Sequence, residues 1–357
     1  MKHQKVGISA ISTYVPPYRV DLEEWCEWTN QSWEKVENII GTGFRMMGPN
    51  QTVYTMAANA VLDLILSHEV DPSEIGFFAL GTESSTDNSA GSIIIKGMVN
   101  KELVRRSVQP ISNNCEVPEY KQACLSGIYA LKNAVRFIKT DAPSLKGIVV
   151  CSDIALYQIG ASGEPTQGAG AVAALIESNP KIAEVRTSEA GSASDYRHLD
   201  FRKPIQYRAK QANGHSDFDL ELPIFNGKYS SSCYVDGTLN AMDDMSSKNS
   251  GNLANHLRNT KAVFMHRPFK KMPITAFSIA YFYALAHGDD ADHEELTRYA
   301  NLANIDQNGI LEELLNKPNV SDFAETDINR QLLPLTTELV KIIHNEADFQ
   351  SNVVSKL

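Results

Sequence analysis

Short apolar runs alternate with longer stretches of helical apolar spacing from the first residues to about Leu285. That alternation restricts the chain to folds in which helices cover a sheet, an α/β architecture. Val6–Tyr14 reads as a strand closed by Pro16-Pro17, and Ile75–Leu80 as a short buried strand opening into Gly81-Thr82-Glu83-Ser84. Tyr54–Leu66 keeps helical spacing until Asp71-Pro72 breaks it. Leu125–Ile138 is apolar over most of its circumference, with Lys132, Arg136 and Lys139 on one stripe, the pattern of a core helix. Ile148–Cys151 is another short strand, and Gly168–Ile176 suits a strand buried on both faces.

A second series starts with a strand candidate at Ile182–Arg186. It continues through a helix around Cys233–Met245 and a strand at Ala262–Met265. No Pro- or Gly-rich linker separates the two series, so two fused halves of one body are expected, 1–177 and 178–357. From Asp289 to Leu357 the chain is polar and helix-like, with acidic clusters at Asp289–Glu295 and Leu311–Leu315, and no strand is expected there.

Charge excludes one class of function. The 357 residues carry 33 Lys+Arg against 43 Asp+Glu, a net charge of −10 with no long basic run, so a nucleic-acid partner is not expected. No apolar stretch reaches the roughly 18 residues of a membrane helix, and the opening MKHQKVGISAIS lacks a secretory pattern. The five cysteines are scattered and none pairs at CxxC spacing, which argues for a reducing, cytoplasmic setting and against a metal site. The closing Ser355-Lys356-Leu357 matches a peroxisomal address and makes that compartment the alternative.

Three residues sit where chemistry could be done. Cys124 precedes the apolar helix, where free backbone N–H groups and the positive end of the helix dipole favour the thiolate; a small buried core cysteine is the other reading. Glu83 lies at a strand end, where a desolvated carboxylate would have its pKa raised toward that of a general base; a helix-capping acid is its alternative. His266 follows the strand candidate Ala262–Met265 and could donate to a carbonyl oxygen gaining charge, or be an exposed loop histidine beside lysines. Asp153–Gly170 is rich in glycine and small residues, suited to close backbone approach to a ligand, and matches neither the P-loop nor the GxGxxG pattern. Together these residues suggest acyl transfer through a thioester without naming the acyl group.

Five segments in order, over about residues 5–285, resemble the 3-hydroxy-3-methylglutaryl-CoA synthase family. They are Gly81-Thr82-Glu83-Ser84; Gln122-Ala123-Cys124; Ser152-Asp153-Ile154-Ala155 with Gly163-Glu164-Pro165-Thr166-Gln167-Gly168-Ala169-Gly170-Ala171-Val172-Ala173; Pro223-Ile224-Phe225-Asn226-Gly227-Lys228-Tyr229-Ser230 with Cys233-Tyr234; and His266-Arg267-Pro268-Phe269-Lys270-Lys271-Met272. The resemblance implies a thiolase-type fold of two pseudo-duplicated halves with central mixed sheets and layered helices. It also implies condensation of acetyl-CoA with acetoacetyl-CoA. Cys124 would carry the acetyl group, Glu83 would take a methyl proton, and His266 would hydrogen-bond the 3-keto oxygen. The Cys124 N–H would serve the oxyanion, Lys271 would contact CoA, and Tyr157, Gly163 and Thr166 would line the substrate.

No metal, flavin or nicotinamide cofactor is implied, and a homodimer paired through the first half's sheet is. The family's Asn-x-Tyr-type segment and its strand ending in Gly-Ser-Gly are not found after His266, so the second half is expected to be incomplete. Two alternatives follow: a β-branching relative acting on carrier-protein-bound acyl chains, and an impaired thiolase-fold subunit completed by a partner chain.

Overall fold

Capping and apolar spacing set the first elements. The computed structural model describes residues 4–157, 159–160, 163–196, 206–208, 219–221 and 227–357. In chain order it begins with β1 (Val6–Tyr14), β2 (Tyr18–Asp21), α1 (Leu22–Thr29), α2 (Trp33–Ile39), β3 (Gly43–Met46) and α3 (Val53–Ser67). There follow β4 (Ile75–Gly81), α4 (Gly91–Arg105), β5 (Glu119–Tyr120), α5 (Ser126–Thr140), β6 (Lys146–Ala155), β7 (Gly168–Ser178) and β8 (Ala183–Glu184). Helix α3 starts at Thr52, whose side chain accepts from Thr55 N while Thr55 Oγ1 accepts in turn from Thr52 N. Its Val53, Met56, Ala57, Ala60, Val61, Leu64 and Ile65 then form one buried stripe. The chain divides into two units, residues 1–37 with 41–187 and residues 38–40 with 188–357.

The first unit is built on a six-stranded mixed sheet of order β5-β4-β6-β7-β1-β8. Strand β4 runs parallel to β5 and β6, whereas β7 is antiparallel to both β6 and β1. The side chains of β4 divide between two cores. Phe78 and Leu80 join α3 and α4 residues such as Leu64 and Val99, while Phe77 and Ala79 join Ala130, Ala134 and Ile138 of α5. Parallel β4 and β6 therefore end at the same edge of the sheet, with α5 beginning beside them, the place where α/β sheets open to ligands.

Two expectations are corrected in this unit. Helix α5 is not buried all round: Ser126, Ala130, Ala134, Val135, Phe137 and Ile138 face the core, and Leu125, Ile128 and Tyr129 at its start are exposed. Strand β7 is covered fully on one face only, by Ala171, Ala173 and Leu175, and Val172 on the other face is exposed. On the Val172 face α5 is the packed helix, whereas α3 and α4 share the other face.

The second unit holds β9 (Gln206–Arg208) paired with β10 (Asp219–Glu221), then α6 (Gly227–Lys248), α7 (Leu253–Asn259), α8 (Lys271–Ala286), α9 (Asp290–Ala303), α10 (Gln307–Leu315), α11 (Pro334–Ile343) and α12 (Ala347–Asn352). Helix α8 is buried on every side from Ala276 to Ala286 and forms the centre of the helical core. The acidic clusters anticipated here supply helix caps and an ion-pair network. Asp289 accepts from Ala291 N and Asp292 N at the start of α9, and Asp292 and Glu295 both pair with Arg258. Glu313 accepts from Leu335 N and Thr336 N at the start of α11. No strand occurs among the described residues after Asp289, and no helix among them is long and apolar enough to cross a membrane.

Ala262–Met265 is not a strand. Its burial alternates as a strand's would, with Val263 and Met265 packed on the helical core and Phe264 at 96 % exposure. Among the described residues no strand lies beside it to form a ladder with. Val263 N donates instead to Lys356 O at 2.6 Å, and Lys356 Nζ donates to Leu257 O and Arg258 O at the end of α7.

Candidate active site

A close approach of two glycines builds the site in the first unit. A Cβ on Gly81, the last residue of β4, would lie 2.6 Å from Gly127 N and 2.8 Å from Ser126 C. One on Gly127 would lie 2.3 Å from Cys151 Sγ. Only backbone without a side chain lets the first turn of α5 settle on the ends of β4 and β6. Thr82, Glu83 and Ser84 continue from β4, and Gln122–Leu125 leads into α5, so the two candidate motifs leave the sheet as adjacent turns.

Hydrogen bonds tie these turns together. Ser126 Oγ accepts from Gln122 N at 2.8 Å and lies within donor range of Ala123 O at 2.7 Å and Thr82 O at 3.2 Å. Asp153, on β6 two residues beyond the Gly81–Cys151 pairing, accepts on one oxygen, Oδ1. Its donors are Thr82 Oγ1 at 3.0 Å, Glu83 N at 2.7 Å, Ser84 N at 3.1 Å and Ser84 Oγ at 2.7 Å. An ionised carboxylate is the acceptor best suited to converging N–H and O–H donors. The backbone of the Glu83 turn is thereby fixed, and its side chain is exposed rather than desolvated as its strand-end position suggested.

Cys124 lies in a 3-10 turn, Ala123–Leu125, directly ahead of α5, and is exposed. Ala123 before it has φ +48°, a left-handed conformation that a residue with a side chain adopts at a cost. The other thiols are different. Burial pushes the Cys115 thiol up to about 12, outweighing the nearby Lys96 charge, and pushes Cys151 up to about 11, with Asp153 adding to the shift.

Strands β6 and β7 pair antiparallel out to Ala155 and Gly168, so the glycine-rich segment between them closes at this same edge. Tyr157 N donates to Gln167 Oε1, and Thr166 Oγ1 donates to Gly163 O. A Cβ on Gly163 would sit 2.8 Å from the Tyr157 ring, so Gly163 is glycine because Tyr157 packs on it. Gln158, Ala161 and Ser162 lie outside the described residues.

The second unit places the remaining motif residues. His266 is exposed in the extended segment before α8, its ring stacked on Tyr234 at 6.5 Å between centroids. The Tyr234 hydroxyl donates to His266 O at 2.5 Å. Burial pushes the Tyr234 phenol up to about 12, so it remains a donor at any neutral pH. Lys271 is exposed at the first residue of α8. Gly227–Ser230 opens α6, and Pro223–Asn226 lies outside the described residues.

Sequence reasoning quoted Asp153 and Tyr234 within the family segments without giving them a role, and did not name Ser126. Among the described residues, no group of three or more His, Cys, Asp or Glu side chains is arranged to hold a metal ion.

Known proteins resemble this chain in sequence and in fold. Residues 2–181 match the family profile of the N-terminal part of hydroxymethylglutaryl-coenzyme A synthase. The hydroxymethylglutaryl-CoA synthase of Enterococcus faecalis is 30 % identical over 269 residues, covering 75 % of this chain and 62 % of that protein. MvaS in complex with 3-hydroxy-3-methylglutaryl coenzyme A superposes with a TM-score of 0.66 at 23 % identity, over 97 % of this chain and 78 % of that one. The HMG synthase of the curacin biosynthetic pathway, in complex with holo donor-ACP, superposes with a TM-score of 0.65 at 20 % identity, over 97 % and 75 %. The two structural likenesses establish a shared mixed α/β, thiolase-like fold. The chain spans less than two thirds of the length of the curated relatives it matches.

Proposed function

The chain belongs to the hydroxymethylglutaryl-CoA synthase family, and on that premise we propose that it joins an acetyl group, carried on Cys124, to acetoacetyl-CoA. The observation that carries the reading is the exposed Cys124 turn hydrogen-bonded through Ser126 to the turn bearing Glu83. In the first step Cys124 Sγ attacks the thioester carbonyl of acetyl-CoA, and CoA leaves as its thiol. The Cys124 N–H offers one donor to the oxyanion of that step. Glu83 then takes a proton from the acetyl methyl. The resulting enolate adds to C3 of acetoacetyl-CoA while His266 donates to the 3-oxygen as it gains charge. Water cleaves the Cys124 thioester and frees 3-hydroxy-3-methylglutaryl-CoA.

Lys271 contacts the CoA moiety, and Tyr157, Gly163 and Thr166 line the substrate. No metal, flavin or nicotinamide takes part. The protein works as a homodimer paired through the first unit's sheet, whose outer strand β5 is two residues long, in a cytoplasmic setting that suits its free cysteines.

The test is intact mass after brief incubation with acetyl-CoA, beside Cys124→Ala. An acetyl adduct absent from the variant supports the reading. A folded protein that takes no adduct overturns it in favour of the impaired subunit. The likeness to an HMG synthase solved with a donor carrier protein favours a second reading. Acetyl-CoA and an acetylated carrier protein offered side by side separate the two, since the better acyl donor identifies the substrate class.

A further inference from the structure

Beyond the Glu83 turn the chain runs through residues 84–90 into α4, and a charge cluster holds this stretch. Asp87 caps the helix, accepting from Ala90 N at 2.5 Å and Gly91 N at 3.0 Å, and its other oxygen accepts from the Tyr54 hydroxyl. Glu119, on β5, has a fully buried side chain. It accepts from the same Gly91 N at 2.6 Å and from Ser85 Oγ at 3.1 Å. A Cβ on Gly91 would lie 2.8 Å from a Glu119 oxygen and 3.2 Å from an Asp87 oxygen, so the two carboxylates converge on one peptide group.

Like charges this close and this buried repel unless a cation sits between them. Burial would raise the Asp87 pKa, yet the bonds from Tyr54 and Ala90 and the charge of Lys121 take it down to about 2. Among the described residues, Lys121 is the cation paired with this cluster, with Nζ 3.3 Å from Glu119 and 3.9 Å from Asp87. It also donates to the backbone oxygen of Asp87 at 2.7 Å. Lys121 lies three residues before Cys124.

We propose that Lys121 is a positioning residue. It neutralises the Asp87–Glu119 pair, pins residues 84–91, and so couples the segment leading into Cys124 to the turn that carries Glu83. This rests on the reading of Glu83 as the base that removes the acetyl proton, and it assigns to a lysine outside the reacting groups the order of that base's turn.

The experiment compares wild type, Lys121→Met, Lys121→Arg and the charge-balanced Lys121→Met/Glu119→Gln. Amide hydrogen exchange is followed over residues 84–91 and over 126–140. Acetyl-CoA is supplied in deuterated water, and the Cys124 adduct is weighed for both its amount and the deuterium washed into its methyl group. In Lys121→Met, amide exchange over 84–91 rises at least tenfold and methyl deuteration falls at least tenfold, while α5 exchange and acylation stay within twofold. Lys121→Arg and the charge-balanced variant recover both quantities, and the latter carries the test if Lys121→Met does not fold.

Unchanged amide exchange over 84–91 in Lys121→Met overturns the proposal, as does acylation falling in step with deuteration. If wild type forms no adduct, the thioester reading fails by itself. Amide exchange then decides alone whether Lys121 holds the turn.

Discussion

One oxygen of Asp153 accepts the backbone N–H of Glu83 at 2.7 Å, across 70 residues of sequence. The same oxygen also takes Thr82 Oγ1 and both donors of Ser84. A base on a turn acts only as well as the turn is held.

Asp153→Asn keeps the size of the side chain and removes the charge that draws these donors together. Hydrogen bonds to a charged acceptor are worth about 1.5–3 kcal/mol, so methyl deuteration of the Cys124 adduct falls about tenfold to a hundredfold. Acylation of Cys124 changes far less. Equal loss of both rates would show that Asp153 supports the unit as a whole instead of the Glu83 turn.

Gly127→Ala drives a methyl group into Cys151 Sγ. Overpacking of this kind costs about 1–3 kcal/mol, read as a lower denaturant midpoint. Adding Cys151→Ala removes the obstructing sulfur and recovers most of the loss. A double variant no more stable than the single one would mean that backbone contact, and not Cys151, sets the limit.

Cysteine reactivity separates by exposure and burial. At neutral pH Cys115 and Cys151, raised to about 12 and about 11, stay protonated, and the thiolate is the reactive form. Exposed Cys124 alkylates before either. Peptide mapping after a short iodoacetamide pulse checks the order, and Cys124→Ala removes the first label. Labelling of Cys151 ahead of Cys124 would contradict it.

Asp87 gives a pH signature. Its pKa is lowered in the folded protein to about 2, so its contribution to stability is complete above the ordinary carboxylate value of about 3.9 and is lost as pH falls through about 2. Asp87→Asn therefore lowers unfolding free energy by about 2 kcal/mol at neutral pH. The deficit relative to wild type closes between about pH 4 and pH 2. A deficit constant over that range, measured by denaturant titration, would mean that the helix cap and not its charge matters.

The first unit was largely legible because its patterns are local. Val6–Tyr14 coincides with β1, since alternating apolar residues and Pro16-Pro17 define both ends. Tyr54–Leu66 falls one residue short of α3 at each end. The exposed side of α5 was not legible, because Leu125, Ile128 and Tyr129 carry the same apolar signature as its buried side. Ala262–Met265 misled for a related reason. Alternation records which side chains face a core, and Val263 and Met265 do face one, but it says nothing of whether another strand lies alongside. In the candidate site, Glu83 and Cys124 could be picked out from their short motifs. The groups that hold them, Asp153 and Ser126, act mainly on backbone atoms, and backbone is common to every residue.

The contact between Gly81 and the first turn of α5 has a meaning beyond packing. Where side chains meet, a change on one surface can be absorbed by a change on the other, and spacing drifts as sequences diverge. Here main chain meets main chain. The separation of the two turns is therefore a fixed length, written in peptide geometry, around which the rest of the unit is free to vary.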